Sequence, residues 1–116
     1  MAKHRSTRRL QFDQKTRKKI VERDRGLCIF CEMEYPAEGA EWLDLEIKEI
    51  MHFIPRSQLG LGIEQNGAIG CKFHHMMLDN GNKGAREEML GRFEAYLRSK
   101  YSDWSKENLV YRKYNF

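Results

Sequence analysis

This sequence predicts a small α+β domain, and three observations support that fold class. Its 116 residues suffice for one domain with a modest core. Large apolar residues are dense from Trp42 to Ile54, as in a strand. Apolar residues recur at helical spacing from Ala85 to Tyr101, as in an amphipathic helix. We therefore expect strand structure between a basic helix near the N-terminus and an amphipathic helix near the C-terminus.

The basic helix has recognisable ends. Asp13 is a suitable N-cap for a helix running to about Asp24, and Gly26 is placed to end it. Ile20 and Val21 are its expected anchors in the core. The residues just outside the helix thus predict its length.

The middle of the chain alternates between loop and strand signals. Residues 32–46 are acidic and contain Pro36 and Gly39, which predicts a loop. The apolar stretch Trp42–Ile54 is expected to be strand that leads to His52. Asn66-Gly67 is a turn signal, and Asn80-Gly81-Asn82 is expected to stop the helix that carries His75 soon after Asp79.

Cysteine and histidine occur in two matching turns. Cys28-Ile29-Phe30-Cys31 and Cys71-Lys72-Phe73-His74 each present two soft ligands separated by two residues. Four such ligands suit tetrahedral zinc, and closed four-ligand sites are structural. We therefore interpret Cys28, Cys31, Cys71 and His74 as one structural zinc site. Two alternatives stay open: small buried hydrophobes, or a disulfide with one spare thiol, although an odd cysteine count and the absence of a signal peptide weaken the latter.

A second polar set remains once His74 is assigned to zinc, and it suits phosphodiester cleavage. That reaction needs an activated water, a cation on the phosphate oxygens and a route for the proton. His52 can take the proton as a neutral imidazole, and Asn66 can hold its surroundings through backbone hydrogen bonds. His75 and Asp79 lie at i and i+4, so a helix would offer both to one cation. A structural role for each residue is the alternative.

These motifs resemble the HNH endonucleases, a nuclease family built on a ββα-metal motif. The matching segments, within residues 17–80, are MHFIPRS, EQNG and CKFHHMMLD. The resemblance implies that His52 is the general base, that Asn66 orients it, and that His75 binds a catalytic divalent ion.

The chain departs from the family at Met51, where the family usually has a metal-binding Asp or His. A thioether is a poor ligand for magnesium or manganese. Glu49 lies two residues earlier, on the same face of a strand, and is expected to replace it beside His75 and Asp79. Such a site would take Mg²⁺, Mn²⁺, Co²⁺ or Ni²⁺, and an Asp at position 51 is expected to restore a hard ligand.

Positive charge is concentrated near the N-terminus. The net charge is +4, yet residues 1–25 hold ten Lys/Arg against three Asp/Glu. Residues 1–12 are therefore interpreted as a basic arm that meets phosphate, ahead of a single domain at 13–116. The expected nucleic-acid contacts are Arg8, Arg9, Lys15, Lys18, Lys19 and Arg56, and Arg17, Arg23 and Arg25 are also available. For residues 1–11, a disordered solubilising tail is the alternative.

The resulting hypothesis is a metal-dependent DNA endonuclease that nicks or cuts both strands. A catalytically inactive zinc-knuckle nucleic-acid-binding module is the alternative, and a zinc-stapled protein-interaction domain is a third. No apolar run approaches membrane-spanning length, so a soluble cytoplasmic protein, in a bacterial host or phage-encoded, is expected. The aromatic tail after Trp104 could cap the domain or pair with a second copy as a homodimer.

Overall fold

The computed structural model describes residues 9–81 and 84–112, and an antiparallel pair of strands lies at its centre. Strand β1 is Lys48–His52 and strand β2 is Gly67–Cys71. Lys48 pairs with Cys71, and His52 pairs with Gly67. His52 is therefore the last residue of its strand, as the sequence predicts.

Five α-helices surround the strands in the part of the chain that the structure describes, which gives a small α+β fold. They are α1 (Gln14–Asp24), α2 (Ile29–Glu32), α3 (Trp42–Glu46), α4 (Lys72–Asn80) and α5 (Ala85–Lys100). The predicted N-cap of α1 is confirmed, because the Asp13 side chain accepts a hydrogen bond of 2.8 Å from the Thr16 N–H. The predicted ends of α4 and α5 are also confirmed. None of the described helices is both long and apolar enough to cross a membrane.

The prediction that strand begins at Trp42 is wrong, because Trp42–Glu46 is helical. Strand β2 has five residues and pairs only with Lys48–His52, so residues 42–46 have no strand beside them in the described chain. They satisfy their backbone locally, for example through the Ile47 N–H and the Leu43 carbonyl at 3.1 Å. Trp42 is consequently 73% exposed, and helix α3 interrupts the predicted loop at 32–46.

The two faces of the strand pair are buried against different helices. Ile50 and Ile69 pack with Phe12 and Ile20 beneath α1. The opposite face joins the main core, whose buried members include Cys28, Phe30, Met51, Ala68, Leu78, Met89, Phe93, Leu97 and Trp104. Val21 was expected to be an anchor, but it is 44% exposed because α1 turns only one face to the sheet.

Both ends of the described chain pack on the domain. Leu10 and Phe12, which the sequence assigned to the arm, are buried, whereas residues 1–8 lie outside the described part. Near the C-terminus, Trp104 is buried and its Nε1 donates to the Gln65 carbonyl at 2.7 Å. The described part of the aromatic tail therefore caps the domain.

Arg23 was expected to face phosphate, and this expectation is wrong. Its guanidinium binds the Asp24 carboxylate through two contacts of 2.7 and 3.0 Å and also donates to the Glu64 and Gly67 carbonyls. Tyr96 donates its hydroxyl to Asp24. Burial, followed by the hydrogen bond to Asp24, raises the pKa of Tyr96 to about 12, so the phenol stays protonated. A buried ion pair thus ties α1 to β2.

Replacing Asp24 with Ala should strongly destabilise the fold. The Arg23 side chain is only 12% exposed, so losing its partner leaves a buried charge without compensation. Such losses typically cost about 3–5 kcal/mol of unfolding free energy. Urea unfolding measures the difference, with exposed Lys18→Ala on the same helix as the control. A loss no larger than that of the control would contradict this assignment.

Candidate functional site

Four soft ligands meet between α2 and the first turn of α4. Cys28 and Cys31 come from the α2 turn, and Cys71 and His74 come from the junction of β2 with α4. Their ligand atoms all lie within 4.8 Å of one another. His74 Nδ1 is 3.7 Å from Cys28 Sγ, 3.5 Å from Cys31 Sγ and 3.3 Å from Cys71 Sγ. The predicted grouping of these residues is confirmed.

The distances fit one tetrahedral ion. Metal–sulfur bonds of about 2.3 Å and metal–nitrogen bonds of about 2.0 Å give tetrahedron edges of roughly 3.8 Å between sulfurs and roughly 3.5 Å from sulfur to nitrogen. Cys31 Sγ and Cys71 Sγ are 3.8 Å apart. That separation is far longer than a disulfide bond of about 2.05 Å, and all three cysteines are free. The Cys3His group could hold a metal ion, and the disulfide alternative is wrong.

Neighbouring backbone groups hold the ligands in place. The Cys31 N–H donates to Cys28 Sγ at 3.4 Å, and the His74 N–H donates to Cys71 Sγ at 3.3 Å. On the far side of the ring, His74 Nε2 lies 3.0 Å from the Pro36 carbonyl. Because Nε2 must be protonated to donate there, the lone pair of Nδ1 faces the sulfurs.

The electrostatics of the thiols favour a bound cation. Burial, followed by the nearby Cys28 and Cys71, raises the pKa of the Cys31 thiol to about 12. Three adjacent thiolates would repel one another in this buried site. A cation removes that repulsion, and its binding releases the protons of the thiols.

His52 is held by the chain segment before α1. Its Nε2 lies 2.8 Å from the Leu10 carbonyl, so this nitrogen carries the proton of the neutral ring. The Phe12 ring packs against the imidazole with centroids 4.2 Å apart and an angle of 37° between the planes. No described residue hydrogen-bonds to Nδ1. The ring is therefore fixed on one side, with a free lone pair on the other.

The surroundings of His52 favour its neutral form. Burial is the main cause that lowers the pKa of His52, and the hydrogen bond to Leu10 opposes it. Electrostatic interactions with Arg56, His75 and Arg17 lower the pKa of His52 further. An imidazole with a depressed pKa is unprotonated at neutral pH and can accept a proton.

The Asn66 side chain holds the loop that follows His52 through hydrogen bonds. Its side chain is fully buried, accepts from the Ile54 N–H at 2.8 Å, and donates to the carbonyls of Ile54 and Leu61. Gly60 leaves room for this loop, because a Cβ there would lie 1.7 Å from the Ile54 carbonyl oxygen. Among the described residues Asn66 makes no hydrogen bond to His52, and its side chain bonds only to backbone groups of Ile54 and Leu61.

Glu49, His75 and Asp79 lie together beside α4, but they do not converge on one point. Glu49 Oε1 is 2.8 Å from His75 Nδ1, whereas Asp79 Oδ2 is 3.5 Å from His75 Nε2. The two carboxylates therefore flank opposite nitrogens of the ring. Within residues 9–81 and 84–112, only the Cys3His group brings its ligand atoms close enough for one ion.

Met51 is part of the core and not of this cluster. It is fully buried, and a Cβ on Gly70 would lie 2.3 Å from its sulfur. An Asp at position 51 would place its carboxylate in this apolar core, which argues against the expectation that it restores an ion ligand. Strand alternation also places Glu49 and Met51 on one face of β1 and His52 on the other.

The predicted phosphate contacts are mostly exposed. Lys15, Lys18, Lys19 and Arg56 face solvent, and the Arg9 guanidinium lies 5.7 Å from the centre of the Tyr111 ring. Arg8 lies outside the described residues. Arg25 pairs with Glu32 at 3.0 Å, so its charge is partly compensated.

Sequence reasoning missed two residues that contact His52, Leu10 and Phe12. Arg17 was expected only to contact phosphate, but its Nε also donates to the Phe12 carbonyl at 3.2 Å. Phe12 stands just before the helix N-cap, a position that often carries a packing hydrophobe, and this was the available signal.

The described chain thus combines a small α+β fold, a Cys3His group that could hold a metal, and a second cluster around His52 and His75. This combination is compatible with a zinc-binding nuclease. No protein-family model matches the chain, and it has no match among curated proteins or among solved structures.

Proposed function

We propose that this chain is a metal-dependent DNA endonuclease with an active site of the HNH type. One observation carries the proposal. His52 has a fixed ring, a depressed pKa and an Nδ1 to which none of the described residues hydrogen-bonds, and positively charged Arg17 and Arg56 are close enough to influence it. A neutral base beside cations suits a reaction on phosphate.

The proposed reaction begins with His52 Nδ1 accepting a proton from water. The hydroxide oxygen bonds to phosphorus, and the bond from phosphorus to one sugar oxygen breaks. The departing oxygen takes up a proton from solvent, so the products are a hydroxyl end and a phosphate end. Arg17 and Arg56 would hold the non-bridging oxygens of the phosphate.

His75 would hold the catalytic divalent cation with Glu49 or Asp79. When bound, such an ion neutralises charge on the phosphate and the departing oxygen. One imidazole nitrogen must first be released from its carboxylate, since both are engaged. Nitrogen together with oxygen is a borderline ligand set, so Mn²⁺, Co²⁺ or Ni²⁺ should support cleavage better than Mg²⁺.

Zinc is the ion we assign to the Cys3His group. Thiolate and imidazole ligands in a closed tetrahedron are typical of structural zinc, and the absence of an open position leaves no place for substrate. Cys28, Cys71 and His74 are also almost fully buried. The proposed role of the zinc is therefore to hold the fold.

One zinc should be found per chain, and removing it should unfold the protein. Cys71→Ser should lower the melting temperature steeply or prevent folding, because a domain of this size depends on its metal. Elemental analysis measures the number of zinc ions per chain. Thermal unfolding with chelator, and then with added zinc, measures how far the melting temperature depends on the metal. Ser57→Ala, in an exposed turn, is the control. A well-folded chain without metal would contradict the assignment.

A nucleic-acid-binding module without catalysis is the second candidate. It is favoured by the position of the two carboxylates on opposite sides of His75 and by the buried Met51. The cations on α1 serve this candidate as well as the first. Cleavage assays separate the two.

Supercoiled plasmid should be nicked or linearised by the wild-type chain with Mn²⁺ and left intact by His52→Ala. Loss of a general base typically lowers the rate about 100-fold to 10,000-fold. Ser57→Ala should cleave normally, and zinc content should be equal in all three proteins. Salt-dependent DNA binding without cleavage, under every one of the four divalent ions, would favour the binding module.

The acid limb of the cleavage rate should lie below the ordinary imidazole pKa of about 6.5. His52 acts as a base only when neutral, and its pKa is lowered by burial, with the charge of Arg56 among the further causes. Activity should therefore persist on slight acidification and fall as pH passes through the depressed value. Arg56→Gln should move the limb upward. A limb above about 6.5 in the wild type would contradict this environment.

A further inference from the structure

Residues 9–12, which we call the strap, are bonded across the end of β1. The Gly62 N–H donates to the Arg9 carbonyl at 2.8 Å. His52 Nε2 lies 2.8 Å from the Leu10 carbonyl, and Arg17 Nε donates to the Phe12 carbonyl at 3.2 Å. Three of the four strap carbonyls thus have partners in different parts of the domain.

The side chains of the strap are packed as firmly as its backbone. Leu10 and Phe12 are each 7% exposed. The Phe12 ring fills the space above Gly67, where a Cβ would lie 2.5 Å from the ring, and it covers one side of the imidazole. The Leu10 carbonyl therefore contacts the edge of the His52 ring, and the Phe12 side chain contacts its face.

We propose that the strap is a positioning element for His52. The Leu10 carbonyl selects the tautomer with the proton on Nε2, and the Phe12 ring fixes the plane of the imidazole, so that Nδ1 is presented to substrate. Phe12 is a positioning residue in this proposal, because it acts through His52. The expected effect of the strap on catalysis rests on the proposed nuclease function. Its effect on the His52 tautomer does not.

The strap also links substrate binding to this alignment. Its first residue, Arg9, is exposed and continues directly from residues 1–8, which include Lys3, Arg5 and Arg8. Phosphate that binds to these charges is therefore connected, through the strap, to the segment that contacts His52. DNA that engages the N-terminal charges should keep the strap in place during the reaction.

Gly62→Ala tests the strap without altering any atom of His52. A Cβ at Gly62 would lie 2.1 Å from the Gln11 carbonyl oxygen and 2.7 Å from the Phe12 nitrogen, so the strap must move. Gly91→Ala on α5 is the matched control, because nothing lies within 4 Å of a Cβ there. Phe12→Ala removes the ring contact independently, and Phe12→Leu is the conservative replacement that should restore part of it.

The readouts are the ¹⁵N NMR signature of the His52 tautomer and the separate values of kcat and KM. Wild type and Gly91→Ala should show the Nε2–H tautomer. Gly62→Ala and Phe12→Ala should show a mixture, with kcat reduced about 10-fold to 100-fold, as expected for a misplaced catalytic group. KM should change little. Deleting residues 1–8 should raise KM and leave the His52 tautomer of the DNA-free chain unchanged, because the contacts of residues 9–12 remain.

Failure of the strap and failure of the nuclease proposal are distinguishable. A pure Nε2–H tautomer and normal kcat in folded Gly62→Ala or Phe12→Ala would overturn the strap, even if His52→Ala abolishes cleavage. A mixed tautomer in these variants upholds the strap, even if the wild-type chain never cleaves DNA. If Gly62→Ala does not fold, Phe12→Ala decides between the two results.

Discussion

The Cys3His group is the constraint on which the rest of this structure depends. It joins the α2 turn to the junction of β2 and α4, segments that lie about forty residues apart. His74 points into the group from the first turn of α4, and its neighbour His75 therefore points elsewhere on the helix, towards Glu49. A single bound ion would thus fix the fold and also set the direction of the second cluster.

The second cluster depends on less regular structure. Asn66 holds the loop after β1, and the strap holds His52 from the other side. Asn66 ends a short 3-10 helix, Glu64–Asn66, and the strap lies outside helices α1–α5 and both strands. Both supports depend on close approach of backbone segments at Gly60 and Gly62. The alignment of His52 is therefore more easily lost than the fold, which is the arrangement expected where loops carry function.

Sequence patterns correctly predicted the features that depend on residues close together in the chain. The spacing of Cys28, Cys31, Cys71 and His74 predicted their grouping, since each turn presents its ligands within four residues. Asp13 predicted the start of α1 because its cap bond spans only three residues. Roles for His52, Asn66 and His75 came from the resemblance to HNH endonucleases, and they stay predictions.

The features that were missed depend on contacts between distant segments. Nothing near Arg23 in the sequence indicates that it would be buried beside Asp24 and the Gly67 carbonyl. Strand propensity suggested a strand at Trp42, but pairing is available only from Lys48 onward. Burial of Met51 follows from its contact with Gly70, which a search for metal ligands does not consider.

The proposed endonuclease is tested most directly by a crystal structure of the zinc-loaded chain with Mn²⁺ and a short uncleavable DNA duplex. Anomalous scattering distinguishes the two metals. We expect zinc in the Cys3His group and manganese at about 2 Å from His75 and one carboxylate oxygen of Glu49 or Asp79. The phosphate should lie between that ion and His52 Nδ1. Bound DNA with no manganese at His75, or with His52 Nδ1 facing away from every phosphate, would contradict the proposal.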